Sequence, residues 1–313
     1  MSPIAWIVVA CLAAAVHGTI MVRRNRRLVP APLLGPGGEP LETKSFTFSD
    51  GVCIDYVEIG SGPPLLLIPG ADGIKETFRF QVVELSRQYR VICADLRRTF
   101  SGSDTFDRLA EDSHELLDML GIERPIVLGQ SLGGAIAMRF ATMYPARAEA
   151  LILANTLATV SYDHVGLNRA SLGAVAMFTT RYFPTAVARA FGRLWCRLGV
   201  WLYDNSAGWR RTIEYALWTG GRAIIPAVSS GRVDLLRATD LRPDLPDIAA
   251  PTLILKGPAD TYVPPAWAKE IAGLIPRSRY IEIPETGHIS HVSMSDEFNR
   301  IVLEWLAERE VQQ

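Results

Sequence analysis

The sequence predicts an α/β fold, a mostly parallel eight-stranded sheet with helices on both faces. Three observations predict it. Eight short strand-like runs alternate with helix-like stretches over 44–156 and again over 246–313. Strands spaced by helical patterns build a parallel sheet through crossover helices. A tight glycine-bounded turn, Gly129-Gln130-Ser131-Leu132-Gly133-Gly134, lies between one such strand and one such helix. The alternation then stops after Leu157 and resumes at Pro251. That gap is too long for a loop inside a compact domain. It reads as a helical cap, residues 157–245, inserted after the sixth strand.

The elements follow in order. Residues 3–22 carry no charged side chain, with His17 the one ionisable group. As a helix they reach about 30 Å, the thickness of a bilayer's hydrocarbon core. Arg23, Arg24, Arg26 and Arg27 follow, and only Met1 and Ser2 precede. Residues 1–27 are therefore expected to be a transmembrane anchor with a basic flank, the arginines and the main domain on the cytoplasmic side. Two rivals are a signal peptide, cleaved near Ala13-Ala14-Ala15 from a secreted protein but lacking a basic start, and a helix packed on the domain itself. Residues 28–43, rich in proline and glycine, read as a linker. Residues 44–48 and 52–59 alternate around Ser49-Asp50-Gly51 and predict a hairpin. Strands are expected at 65–69, 91–94, 125–128, 151–154, 251–256 and 280–284, and helices at 76–89, 106–120, 135–144 and 296–308.

Composition narrows the function. The 313 residues fit one large domain with an insertion, and 49% apolar content supplies its core. A net charge of −1 gives no electrostatic footprint for nucleic acid. Cys11, Cys53, Cys93 and Cys196 are far apart, with neither zinc-type spacing nor a disulfide framework. The last three sit in apolar surroundings and read as buried free thiols, which fits a reducing compartment. The cap segment holds eleven arginines, no lysine and six acids. Its surplus charge fits anionic lipid head groups or the ordinary solvated surface of an arginine-rich chain. Its Trp195, Trp201, Trp209 and Trp218 are lining for an acyl pocket or the cap's own small core.

The chemistry rests on three residues. Ser131 follows one strand, Asp260 follows the strand at 251–256, and His288 follows the strand at 280–284. Loops after parallel strands meet at one sheet edge. A serine hydroxyl needs a base to take its proton. Imidazole serves as that base, and a carboxylate fixes the imidazole's tautomer and steadies its cation. His291 is the nearest rival histidine, but no carboxylate cluster accompanies it and no metal site is indicated.

From Lys44 to Glu308 the chain resembles the α/β-hydrolase superfamily, specifically its capped serine esterase and lipase-like members. The resemblance rests on the Gly129–Gly133 elbow, the order Ser131, Asp260, His288, and the stretch Ile68-Pro69-Gly70-Ala71-Asp72-Gly73 after the third strand. It implies an oxyanion hole made by the amides of Leu132 and Ala71, and it implies ester cleavage through an acyl-enzyme with no metal or organic cofactor. The expected partner is a small-molecule ester, hydrophobic or lipid-derived if the anchor is real. Other chemistries of this superfamily share the constellation: lactonase, thioesterase, carbon–carbon bond hydrolase and haloperoxidase. Epoxide hydrolases and haloalkane dehalogenases do not, because they need aspartate at position 131. A non-catalytic binding role is also open, since the 69–73 loop and the stretch around 129–156 resemble maspardin, a hydrolase-fold binding adaptor. The chain departs from the family pattern twice. Pro69 stands where histidine is usual, and the loop from Asp95 to Asp104 is one residue longer, with Arg98 in place of the first glycine. The family's alternative acid position carries Asn155, an amide, and Asp163 is a remote substitute. Asp72 either shapes the pocket, tunes His288 or caps a turn.

Overall fold

A computed structural model describes residues 3–26, 31–160, 186–187, 189–190, 209–218, 226–260 and 262–311. Strands β1 (Lys44–Thr47) and β2 (Cys53–Ile59) form the expected antiparallel hairpin. They are joined by β3 (Pro64–Ile68), β4 (Arg90–Ala94), β5 (Ile126–Gln130), β6 (Ala150–Ala154), β7 (Thr252–Lys256) and β8 (Ser278–Glu282). All eight form one sheet in the order β1-β2-β4-β3-β5-β6-β7-β8. The pairings from β4 through β8 are parallel, and β2 runs antiparallel to β4. This is an α/β-hydrolase sheet. Its chain order reverses at β3 and β4, so loops that follow β3, β5, β7 and β8 gather along one edge.

Period-two alternation splits the apolar side chains between two faces. Leu66, Ile68, Ile92, Val127, Leu151, Leu153 and Ile254 pack toward α3 (Asp107–Met119), α4 (Leu132–Met143) and the helix Pro265–Leu274. Leu65, Leu67, Val91, Leu128, Ile152, Leu253 and Leu255 pack toward α2 (Arg79–Leu85) and the C-terminal helix Ser295–Glu310. Both faces of the central strands are buried, which is why their sequences are near-continuous runs of Val, Ile and Leu.

Three expectations shift. The helix expected over 76–89 is a 3-10 turn, Lys75–Phe78, followed by α2. It ends at Leu85, and the backbone that turns from it into β4 passes so close to Gly60 and Gly62 that a Cβ on either would overlap the carbonyls of Ser86, Gln88 or Tyr89. Helix α4 begins at Leu132, directly after the serine, three residues earlier than its apolar spacing implied. Cys53 is exposed rather than buried, because it starts β2 with its side chain on the open face; Cys93 is buried as expected.

The N-terminus forms α1 (Pro3–Arg26). Among the described residues, no helix is long and apolar enough to cross a membrane. The span expected over 3–22 falls within α1, whose Trp6, Ile7, Val8, Val9, Leu12, Val16 and Ile20 stand exposed. His17, Gly18 and Thr19 interrupt the apolar run before its arginine-rich end, and Thr19 turns its hydroxyl back to the Ala15 carbonyl.

Within the expected cap, the described helices are α5 (Trp209–Trp218), α6 (Pro226–Arg237) and a 3-10 turn, Arg242–Asp247. Most of 161–208 and 219–225, including Asp163, Trp195, Cys196 and Trp201, lies outside the described residues. Helices α7 (Pro265–Leu274), α8 (Ser290–Ser293) and α9 (Ser295–Glu310) complete the chain.

Candidate active site

Ser131 sits at the junction of β5 and α4 with φ 53° and ψ −121°. A left-handed non-glycine residue stores strain that the surroundings must hold. They do so with the Ser131 amide donating to Ala154 (2.8 Å) and the Thr156 hydroxyl donating to the Ser131 carbonyl (2.7 Å). The turn is tight enough that a Cβ on Gly129 would overlap the Gly133 carbonyl, and one on Gly133 would overlap that of Ile68. Only glycine permits this approach at either position.

The three expected side chains converge. His288 Nε2 lies 3.0 Å from Ser131 Oγ, and its Nδ1 lies 2.9 Å from Asp260 Oδ2. Gln130 donates to the His288 carbonyl at 3.1 Å, which ties the histidine loop to the elbow. Asp260 is buried at the end of β7. Its Oδ1 accepts the amides of Tyr262 (2.9 Å) and Val263 (3.0 Å). Burial alone would raise its pKa, but His288 and Lys256 outweigh burial and bring it down to about 2. The acid is thus ionised at neutral pH. The arrangement can move a proton from a hydroxyl to an imidazole held in one orientation.

Ala71 lies in the turn after β3, where Gly73 N–H donates to Gly70 O (2.9 Å). The turn rests on the elbow, because a Cβ on Gly70 would sit 3.4 Å from Ser131 Cβ. Leu132 supplies the first amide of α4, where the helix dipole favours negative charge. Leu132 thus lies at the start of the helix after the serine, and Ala71 in the turn packed against the elbow.

Asp72 caps this turn, accepting Gly73 N–H at 2.8 Å, and also accepts the Tyr215 hydroxyl of α5 at 2.7 Å. Burial raises its pKa. Asn155 takes no part as an acid. It bridges β6 to the later loops, donating to Ser290 Oγ and accepting Gly257 N–H, both at 2.8 Å.

Sequence reasoning missed two residues. Lys256 ends β7 fully buried, and its ammonium pairs with the same Asp260 oxygen that holds His288. A lysine closing an apolar strand four residues before the acid was the available signal. Arg232 of α6 donates into the Ala71 loop from a segment whose sequence offers no contact signal.

His291 is buried between Phe78 and Phe298, and neither ring nitrogen has a hydrogen-bond partner among the described residues. Among the described residues no group of three or more His, Cys, Asp or Glu is placed to hold a metal. Burial, then the neighbouring His288, push the His291 pKa down from 6.5 to about 3. The unfolded chain therefore binds the extra proton first. This contribution to stability is full above about pH 6.5 and declines as pH falls from there toward 3. His291→Phe should remove the penalty. Between pH 7.5 and 4.5 the variant should lose about 2–3 kcal/mol less stability than the parent, measured by urea unfolding at each pH. Equal losses would show the imidazole is not the sensitive group.

Residues 63–293 match the alpha/beta hydrolase fold family, and the chain belongs to it. It is similar to a putative carbamate hydrolase of Stutzerimonas stutzeri, 28% identical over 255 residues, covering 79% of this chain and 92% of that protein. It is similar to the 2-hydroxy-6-oxo-6-phenylhexa-2,4-dienoate hydrolase of Comamonas testosteroni, 26% identical over 274 residues, covering 82% and 92%. Among solved structures, a thermophilic esterase of Thermogutta terrifontis superposes with a TM-score of 0.66 at 25% identity, covering 85% of this chain and 98% of that one. The chain is a hydrolase of this fold.

Proposed function

We propose that the protein is a serine hydrolase cleaving carboxylic esters through an acyl-enzyme. The observation that carries the reading is the unbroken hydrogen-bond chain from Asp260 through His288 to Ser131. Ser131 Oγ attacks the carbonyl carbon while His288 Nε2 takes its proton. The amides of Leu132 and Ala71 hold the oxyanion. Collapse expels the alcohol, which leaves with the proton from His288. Water then loses a proton to the same nitrogen, attacks the acyl-serine, and releases the acid and the free hydroxyl. Asp260 orients the imidazole throughout. In this reading residues 44–156 and 246–313 are the core, and 157–245 is a cap over the site. Hydrogen bonds from Tyr215 and Arg232 to the Ala71 loop support that division.

The substrate is a hydrophobic or lipid-derived ester. Support comes from the exposed apolar side chains of α1 and from the arginines that follow them in sequence. In water such a surface is unfavourable, and contact with lipid relieves it, with arginines at the head groups. We place α1 at a lipid surface rather than across it. Full-length protein should float with anionic vesicles, and protein lacking residues 1–30 should stay at the bottom of the gradient.

The test of the activity is a chain-length series of nitrophenyl esters, assayed beside a carbamate and a vinylogous diketone. Turnover of the esters, rising with acyl length and absent in Ser131→Ala, supports the reading. Turnover of the carbamate or the diketone alone would overturn it in favour of the chemistry of the other relatives.

A further inference from the structure

We propose that Arg232 is a positioning residue for oxyanion binding, a cap-side guanidinium that holds the turn carrying the Ala71 amide in its working orientation. The assignment rests on the serine-hydrolase reading and extends it to α6.

Arg232 is 2% exposed. Its hydrogen bonds all run to backbone carbonyls. Nη1 donates to Ala71 O (3.0 Å), Nη2 to Leu96 O (3.0 Å) and Arg97 O (2.6 Å), and Nε to Arg97 O (3.2 Å). A buried cation ordinarily takes a carboxylate. Asp72 spends its oxygens on Tyr215 and Gly73 and helps only through space, as does Asp95. Burial lowers the guanidinium pKa to about 10, so it stays charged at neutral pH. A charge kept in so dry a place, with its fork aimed at three carbonyls, is a rigid brace.

The brace grips the turn that matters. The Gly70 carbonyl and the Ala71 N–H belong to one trans peptide and point in opposite directions. Gly73 N–H holds that carbonyl and so aims the Ala71 N–H. The next peptide carries the Ala71 carbonyl, which Arg232 holds. Two successive peptides are thus fixed, the first from within the turn and the second by Arg232. Pro69, just before them, brings no N–H to help. Gly73 makes room for the brace: its φ is +65°, and a Cβ there would overlap the guanidinium. Arg232 also ties in the loop after β4, where Leu96 N–H already donates to Gly73 O at 3.0 Å. These are the two loops whose sequences depart from the family pattern, and one cap residue joins them.

The experiment uses the full chain with Arg232→Ala and Arg232→Lys, a short nitrophenyl ester, and a trifluoromethyl ketone that Ser131 converts to a hemiketal oxyanion. Arg232→Ala should lower kcat by about 100-fold, the scale of losing one oxyanion donor, with KM within about threefold of the parent. Affinity for the ketone should fall in parallel with kcat. Low, non-denaturing guanidinium should restore part of the rate in Arg232→Ala and none in the parent. Arg232→Lys, which keeps the charge and folds more readily, should fall between the two. Folded variants that keep the parent's kcat and ketone affinity would overturn the assignment. So would a loss of rate that tracks only the folded fraction and is not rescued. A parent with no esterase activity would instead count against ester cleavage itself.

Discussion

Replacing Ser131 with alanine should lower kcat for ester hydrolysis by on the order of a million-fold, close to the rate in solution plus what binding alone provides. The fold should survive the change. The serine hydroxyl meets His288, while the strained backbone at this position is held by main-chain contacts to Ala154 and Thr156 that alanine leaves intact. The variant's melting temperature should therefore stay within a few degrees of the parent. Burst kinetics with a nitrophenyl ester should vanish as well, since no acyl-enzyme can form. A variant that hydrolyses esters at the parental rate would transfer the activity to another group. A parent and variant equally inert, with both well folded, would favour a binding role on this fold.

The sequence carried most of this framework. Each central strand, β3 through β7, is a short apolar run, because a strand buried on both faces has few polar positions to confuse the pattern. Ser131, Asp260 and His288 were legible for a related reason. Each follows a parallel strand, and the topology of the sheet brings the loops after those strands together. Helix boundaries were less legible. The early start of α4 is set by the elbow rather than by apolar spacing, and the early end of α2 falls where the chain passes close against Gly60 and Gly62. What the sequence concealed was tertiary. Arg232 lies 161 residues from Ala71 in the chain, and nothing local in α6 distinguishes it from Arg237, which pairs at the surface with Asp234. Where α1 lies was not legible, because an apolar run reports hydrophobicity and not what covers it, and the exposed helix also contains His17, Gly18 and Thr19.

Lys256 leads to the second large effect. Asp260→Asn should reduce kcat by about 10,000-fold, because an amide can hold the wrong imidazole tautomer. In this protein it should also destabilise the fold. Lys256 is fully buried and pairs with Asp260, so the amide leaves its ammonium charged and unpartnered. Breaking a buried pair from one side costs about 3–5 kcal/mol. Lys256→Met in the same chain removes the orphaned charge and keeps the stem's volume. The double variant Asp260→Asn/Lys256→Met should recover most of the lost stability and none of the lost rate. Lys256→Met alone should keep more activity than Asp260→Asn, since His288 and the amides of Tyr262 and Val263 still hold the carboxylate. Chemical unfolding and kcat on the four proteins form a complete cycle, and the stability coupling should exceed about 2 kcal/mol. A double variant no more stable than Asp260→Asn would mean that the lysine charge is not what the amide strands. A double variant with the parent's rate would remove Asp260 from the mechanism. The same pair fixes the acid response. Asp260 has a pKa lowered to about 2, below its ordinary 3.8, so its contribution to stability is complete above that ordinary value and is lost as pH falls through 2. Activity lost at milder acidity therefore reports protonation elsewhere in the site.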